Sequence, residues 1–253
     1  MEKQIRKVLV VGAKGFIGTN LVKALRLKNN VVLEYDKDDS EETLYNYIKE
    51  ADFIYHFAAV QRPLNQDYTS NLLISNKIID CLVRENLKTP VFFSSSIQAE
   101  LDNPYGICKR EEERLFLDYA NKYNSKLYIC RFSNIFGPGS RPNYTSVVST
   151  FIYNCIKNLQ ITINNVDTTL NLIYIDDIIN YLMGLLSLPT NCNSIQYLSC
   201  FYTIDLVDLI CIINSIKQKK KKLLRCFDKK LVKDLETTYS YFENKIEREG
   251  EII

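Results

Sequence analysis

Between Ser94 and Lys109 the chain reads SSSIQAELDNPYGICK, a stretch that places serines, a tyrosine and a lysine where a single carbonyl group can meet all three. Asn103 and Pro104 read as a helix start, with Asn103 as the capping acceptor and Pro104 at the first helical position, where its missing N–H costs nothing. Tyr105 and Lys109, four residues apart, then share one helical face. An ammonium beside a phenol favours the phenolate, so Lys109 is expected to lower the Tyr105 pKa from about 10 toward the range of a general acid. With a serine hydroxyl on the same oxygen, the trio can protonate a carbonyl as it is reduced.

Such a site needs a hydride source and elements to present it. The apolar run Val8 to Val11 leads into Gly12-Ala13-Lys14-Gly15-Phe16-Ile17-Gly18 and then into a helical pattern through Leu21, Val22 and Leu25. Strand, Gly-rich turn and helix in that order let a backbone approach a pyrophosphate closely, with the helix dipole and first-turn N–H groups attracting it. The spacing is GxxGxxG, not the GxGxxG dinucleotide fingerprint. A second apolar run, Val31 to Tyr35, ends at Asp36, where a dinucleotide fold meets the adenosine ribose. Asp36 accepts hydrogen bonds from ribose hydroxyls and repels a 2′-phosphate, which argues for NADH. Lys14 and Lys37 pull the other way, toward NADPH.

Asp52 to Ala59 reads as a buried strand running through His56 and ending in the small residues Ala58 and Ala59 after Phe57. Only the short helical segment Glu41 to Lys49 separates it from Asp36, so the fold is expected to lack one strand and crossover of a full dinucleotide domain. His56 reads as a satisfied core histidine. A helix over Asn71 to Val83 precedes the strand Val91 to Phe93, which delivers Ser94 to Ser96 to the crevice where open α/β sheets bind ligands. A helix over Tyr105 to Asn121 carries Lys109-Arg110-Glu111-Glu112-Glu113-Arg114, which reads as a solvated, salt-bridged face. After the strand Leu127 to Phe132 the alternation becomes less regular, with helices near Val147 to Lys157, Asp177 to Leu186 and Ile204 to Ile216. The expected architecture is α/β, a Rossmann-like doubly wound parallel sheet over residues 1–135 with some later segments returning to it, and a smaller C-terminal substrate-binding lobe over 136–253.

Composition excludes several other classes. The 253 residues carry a net charge of only +2, so nothing points to a nucleic-acid partner, and the Lys219 to Lys222 run reads as a solvated helix end or turn. No apolar run is long enough to span a membrane and none follows MEKQIRK as a signal peptide would, so a cytoplasmic location is expected. The eight cysteines show no CxxC pairing and read as small core residues in a reducing compartment. With His56 the only histidine, a His-rich metal site is ruled out and Ser-His-Asp machinery disfavoured. No metal is expected.

Together these residues resemble the extended short-chain dehydrogenase/reductase family, which includes the NAD-dependent epimerases and dehydratases. The likeness runs from about Lys7 to at least Leu209 and rests on GAKGFIG, HFAA, SSS before YGICK, CRFSNIFGPG and LIYIDDI. It implies a nucleotide-sugar substrate, Tyr105 as general acid/base, Lys109 holding the nicotinamide ribose, and Ser96 binding the reacting oxygen, with Ser95 the runner-up. It also implies cofactor contacts from Gly12, Lys14, Gly15, Phe16, Ile17, Gly18, Asp36, Lys37, Phe57, Ala58 and Ala59, and NADP(H) as the carrier, while Asp36 admits NAD(H).

Within the family, SSSIQAELDNPYGICKREEE and RPNYTSVVSTF are similar to the capsular-polysaccharide reductases that act on the 4-keto group of UDP-2-acetamido-2,6-dideoxy-hexosuloses. Substrate contacts are then expected from Arg62, Ser95, Ser96, Gln98, Asn134, Arg141, Asn143 and Tyr144, and Cys108 replaces a frequent serine. That group usually continues into a metal-binding cupin epimerase domain, and this sequence stops near where it would begin, so a reductase without it is expected, served by an upstream dehydratase/epimerase. The resemblance also implies a homodimer formed through the helices at Asn71 to Val83 and Tyr105 to Asn121. Ile97-Gln98 removes the acid pair that a 4,6-dehydratase needs. A nucleotide-sugar 4-epimerase and a non-catalytic dinucleotide sensor stay open as alternatives.

Overall fold

Val8, Leu9, Val10 and Val11 are completely buried, as a strand must be when helices cover both faces of its sheet. The computed structural model describes residues 6–61, 63, 65–163, 165, 167–187, 194–197 and 202–250. The first elements are β1 (Lys7–Val11), α1 (Phe16–Leu27), β2 (Val31–Tyr35), α2 (Glu41–Glu50), β3 (Phe53–His56), α3 (Thr69–Arg84) and β4 (Val91–Ser96). A 3-10 turn (Ile97–Glu100) leads to α4 (Pro104–Tyr123), β5 (Leu127–Phe132), β6 (Asn134–Phe136), α5 (Val147–Ile156), β7 (Thr169–Tyr174) and α6 (Ile175–Leu185). The chain ends in β8 (Ser194–Tyr197), β9 (Tyr202–Asp205), α7 (Leu206–Lys217), α8 (Lys221–Leu224) and α9 (Lys229–Gly250).

Two compact units result, one from Met1–Phe132 with Ile179–Leu198 and the other from Ser133–Ile178 with Ser199–Ile253. The first holds a six-stranded parallel sheet in the order β2-β1-β3-β4-β5-β8, a Rossmann-like α/β fold. Strand order reverses at β1, which puts a topological switch point, and hence a ligand crevice, at its carboxyl end. Beyond β2 no further strand pairs among the described residues, as the short 36–52 connection leads one to expect. Leu9, Val11, Leu44, Ile48, Ile54, Ile78, Leu82, Phe93, Phe116 and Ile129 build one core under α2, α3 and α4. Phe116 is its hub, stacked on Phe93 at 5.0 Å and tilted against the His56 ring at 5.8 Å.

The second unit pairs β6 with β7 in parallel and β7 with β9 antiparallel. The helix α9, for which the sequence reading assigned no element, buries Leu231, Val232, Leu235, Tyr239 and Phe242, one face at helical spacing. Tyr202 donates to Asp234 at 2.7 Å, and Lys230 bridges Asp177 and Asp234 at 2.5 and 3.3 Å, tying α9 to β9 and α6. Lys219 takes a left-handed turn before α8, and Lys219 to Lys222 are exposed, as a solvated helix end should be. Of the cysteines described, Cys81, Cys108, Cys130 and Cys155 are buried. Among the described residues no helix is long and apolar enough to cross a membrane.

The hub position of Phe116 sets a stability expectation. Phe116→Ala should cost about 3–5 kcal/mol through lost transfer energy and the cavity left behind. A urea unfolding midpoint close to that of the parent chain would show that the His56–Phe93–Phe116 stack does not carry the core.

Candidate active site

The Gly-rich turn is shaped by close backbone approaches. Gly12 has φ +88°, and a Cβ there would lie 2.8 Å from Ala58 N, so β3's continuation through Phe57, Ala58 and Ala59 runs directly against the turn. A Cβ on Gly18 would lie 2.2 Å from the Gly12 carbonyl, which seats α1 on the turn. Gly15 caps α1 with extended backbone and no side-chain acceptor, so side chains leave the first-turn N–H groups beside Phe16 and Ile17 uncapped. Asp36 accepts from the backbone N–H of Lys14 at 2.8 Å and from that of Lys37 at 2.9 Å, joining the end of β2 to the same turn. The Lys14 ammonium pairs with Asp38 at 3.4 Å in an exposed contact worth little. A cradle cleared of side chains at 12 and 15, lined by uncapped N–H groups and closed by a carboxylate at β2, fits a dinucleotide.

Twenty residues of α4 begin as the sequence predicts: Asn103 accepts from Gly106 N at 2.8 Å and Pro104 occupies the first turn. Gly106 matters for its lack of a side chain, since a Cβ there would lie 2.1 Å from the Gln98 carbonyl oxygen and 2.4 Å from that of Leu101. The turn after β4 is therefore pressed onto the start of α4. Arg110 clamps the same turn through the carbonyls of Ala99 and Leu101, at 2.7 and 2.9 Å, and through Asp102 at 2.8 Å. The Lys109 ammonium donates to the Ser94 carbonyl at 3.3 Å, which holds it at the carboxyl end of β4. Its Nζ stands 6.0 Å from the centre of the Tyr105 ring, and that ring packs against Tyr68 at 5.4 Å.

The serines separate by strand alternation. Ser95 is buried and donates to Glu113, whereas Ser96 is half-buried and accepts from Gln98 N at 3.2 Å. Glu113 is also held by a two-pronged pair from Arg131, with Nε at 2.8 Å and Nη2 at 2.6 Å, and Arg131 reaches Tyr197 at 2.8 Å. The Glu113 pair holds the Arg131 guanidinium above its ordinary range despite burial. Ser95 is thus committed to the framework, leaving Ser96 as the hydroxyl at the strand end.

Two expectations are corrected here. The Lys109 to Arg114 run is not a solvated face: Lys109, Glu112 and Glu113 are 2%, 0% and 3% exposed, because each buried charge finds a partner. Lys109 pairs with Glu112 at 2.9 Å. Nor does Lys109 prevail over the other influences on Tyr105. Burial raises the Tyr105 phenol above its ordinary pKa, the ammonium lowers it by less, and Glu112 adds to the rise. Burial acts against the Lys109 ammonium too, yet Glu112 and Tyr105 hold it above the ordinary lysine range.

His56 is only half satisfied. Its Nε2 stands 3.0 Å from Ser75 Oγ, Ser75 donates to Glu112 at 2.8 Å, and Nδ1 is buried with no partner. Since Ser75 spends its proton on Glu112, His56 donates to it through Nε2. Complete burial, with Lys109 nearby, depresses its pKa to about 3.

Asn134, Arg141, Asn143 and Tyr144 lie in the second unit. Asn134 donates to the Asn171 carbonyl at 3.3 Å. Arg141 is exposed at the start of a turn whose carbonyl accepts from Tyr144 N and Thr145 N, and Asn143 has φ +59°. Gln98 is exposed beside Ser96, and Arg62 lies outside the described residues. Glu112, Glu113, Ser75 and Arg131 escaped the sequence reading. The only signal for the two carboxylates was their spacing of three and four from Lys109.

Comparison with known proteins agrees with this architecture. The fold is that of a nucleotide-binding α/β protein with a Gly-rich first turn. Residues 8–195 match the model of the NAD dependent epimerase/dehydratase family, and the chain belongs to that family, whose cofactor is a nicotinamide dinucleotide. It is 37% identical over 180 residues to the UDP-2-acetamido-2,6-beta-L-arabino-hexul-4-ose reductase of Pseudomonas aeruginosa, an alignment covering 70% of this chain and 48% of that protein. The chain thus spans about half the length of that curated relative. Among solved structures it is similar to the capsular polysaccharide assembling protein CapF of Staphylococcus aureus, with TM-score 0.79, 32% identity, and coverage of 93% of this chain and 64% of that one. WbmF of Bordetella bronchiseptica, solved with NAD+ and UDP, shares the fold with TM-score 0.78 and 19% identity, covering 98% of this chain and 95% of WbmF.

The histidine makes stability depend on acid in a defined sense. In the unfolded chain His56 titrates near 6.5 and in the folded chain near 3, so between these values the folded state binds fewer protons. Its contribution is fully present above about pH 6.5 and is lost as pH falls toward 3, by at most ~1.4 kcal/mol per pH unit. Urea unfolding at pH 7, 6 and 5 should show a steeper loss in the parent chain than in His56→Asn, which keeps a donor for Ser75. Equal losses in both would mean that His56 is not the group being titrated.

Proposed function

We propose that this protein is a nucleotide-sugar ketoreductase, reducing the 4-keto group of a UDP-2-acetamido-2,6-dideoxy-hexosulose on the way to an L-acetamido sugar nucleotide. The observation that carries the reading is Lys109, buried and tethered to the Ser94 carbonyl at the end of β4, with Tyr105 one turn earlier on α4 and Ser96 on the same strand end. Support for the substrate comes from the likeness to the P. aeruginosa reductase over 70% of this chain.

The dinucleotide would be held by Gly12, Gly15, Phe16, Ile17 and Gly18 at its pyrophosphate, by Asp36, Lys14 and Lys37 around the adenosine ribose, and by Phe57, Ala58 and Ala59 along β3. When bound and reduced it supplies a hydride. Tyr105 gives its phenolic proton to the ketone oxygen, and Ser96 donates a second hydrogen bond to that oxygen as negative charge develops. Lys109 holds the nicotinamide ribose and keeps a positive charge beside the phenol as its proton leaves. The first unit serves as the dinucleotide-binding domain. Residues 136–253 serve mainly as the substrate-binding lobe, with Arg141 as a diphosphate partner and Asn143 and Tyr144 as substrate contacts. Two copies pair through α3 and α4, and an upstream dehydratase/epimerase activity supplies the ketosugar.

Incubation with UDP-N-acetylglucosamine pretreated by a dehydratase/5-epimerase, plus NADH or NADPH, should consume one nucleotide per sugar reduced. A 4-epimerase would leave the added nucleotide unconsumed. Tyr105→Phe should keep dinucleotide affinity and lose reduction by about 10²–10⁴-fold. Turnover at the parent rate in that variant would end the assignment.

The carrier is read from charge. A carboxylate at position 36 repels a 2′-phosphate, so Asp36→Asn should raise kcat/KM for NADPH relative to NADH by roughly tenfold, about 1.4 kcal/mol. An unchanged ratio would show that Lys14 and Lys37, and not Asp36, govern the choice.

A further inference from the structure

The reaction as proposed leaves one buried charge at the site without a task. Glu112 lies three residues beyond Lys109 on α4 and is wholly inaccessible to solvent. One carboxylate oxygen receives the Lys109 ammonium at 2.9 Å and lies 3.9 Å from Cys108 Sγ; the other receives the Ser75 hydroxyl at 2.8 Å. Ser75 in turn is engaged by His56 Nε2 at 3.0 Å. Ser75 on α3 satisfies the second carboxylate oxygen, and His56 on β3 backs Ser75, so Glu112 is fixed in place against Lys109.

Counting charge shows what this arrangement does. With Lys109 protonated, Glu112 ionised and Tyr105 a phenol, the buried group is neutral. Losing one proton, from either Tyr105 or Lys109, leaves a net negative charge where charge is poorly solvated. With a neutral residue at 112 the same group starts positive and becomes neutral on losing a proton. The carboxylate therefore strengthens the hold of the Tyr105–Lys109 pair on its protons.

We propose that Glu112 is a positioning residue for proton delivery: it clasps Lys109 against the end of β4 and keeps the Tyr105–Lys109 pair protonated to higher pH, so that the proton a ketone needs stays available. The proposal rests on Tyr105 being the proton donor. The other groups facing the pair do not reverse the count. Cys108 on α4 is a thiol that burial pushes up to about 11, His56 on β3 is neutral, Ser75 on α3 is a hydroxyl, and Tyr68 ahead of α3 is a phenol packed on Tyr105. The upward displacement of both Tyr105 and Lys109, to which Glu112 contributes in each case, agrees with it.

The test is the pH profile of the full-length Glu112→Gln variant, acting on the same UDP-4-ketosugar. Its alkaline limb of kcat/KM for reduction should move down by at least about one pH unit, a tenfold change in proton affinity. Glu112→Asp, which retains the charge, should keep its limb near that of the parent. If the Gln variant does not fold, Glu112→Ser, which leaves room for water beside the ammonium, carries the same expectation. A uniform loss of rate with the limb in place would mark Glu112 as structural and overturn the proposal. Tyr105→Phe run in parallel separates the two readings: if it abolishes reduction while the Glu112→Gln limb stays put, only the role of Glu112 falls. Reduction surviving in Tyr105→Phe would instead remove the catalytic reading beneath it.

Discussion

A lysine ammonium sealed from water has to be neutralised where it stands, and the first unit is arranged around that requirement. Taking each ion of the Lys109–Glu112 pair out of water costs several kcal/mol, which mutual attraction repays only if the remaining lone pairs and protons also find partners. They do: the Ser94 carbonyl takes a second bond from Lys109, and Ser75 completes Glu112. Satisfying both ions commits β4, α3 and α4 to one arrangement. The helix cannot rotate without stranding a charge.

The adjacent Glu113 fixes the other side of the same helix. Successive residues on an α-helix point about 100° apart, so Glu112 faces α3 while Glu113 faces β4 and β5. There it takes the Ser95 hydroxyl and both prongs of Arg131. With Ser95 consumed, strand alternation turns Ser96 the opposite way, toward the turn after β4. A framework ion pair on one face of the strand thus gives Ser95 and Ser96 different surroundings. Gly106 completes the arrangement, because its missing side chain lets the Gln98 and Leu101 carbonyls lie on the first turn of α4.

Local patterns were legible in advance where local physics decides them. The cap at Asn103, the proline after it, the Gly-rich turn before α1 and the short 36–52 connection all follow from backbone preference and chain length. Asp36 too could be placed at the end of β2, though not its bond to the Lys14 N–H, which depends on β1 and β2 lying side by side. The error over the Lys109 to Arg114 run has a plain cause. Alternating charges on a helix look the same whether solvent or another helix lies above them, and only Arg131, Ser75 and Ser95, arriving from other elements, make the interior habitable for Glu112 and Glu113. The helix α9 went unassigned for a different reason, its apolar stripe being interrupted by threonine and tyrosine, which its packing nevertheless buries.

The sequence by itself determined which residue types stand where along the chain: a glycine turn ahead of a helix, serines at a strand end, and tyrosine and lysine on one helical face. These depend on residue type and on periods of two and 3.6, which are properties of the chain alone. Tertiary structure decided what surrounds that tyrosine and lysine and which serine is tied to the framework. Both depend on burial and on charges far away in sequence, such as Glu113 meeting Arg131 across eighteen residues and His56 meeting Glu112 through Ser75. Proton affinity in a protein interior is set by what surrounds a group in space, and no spacing along the chain records that.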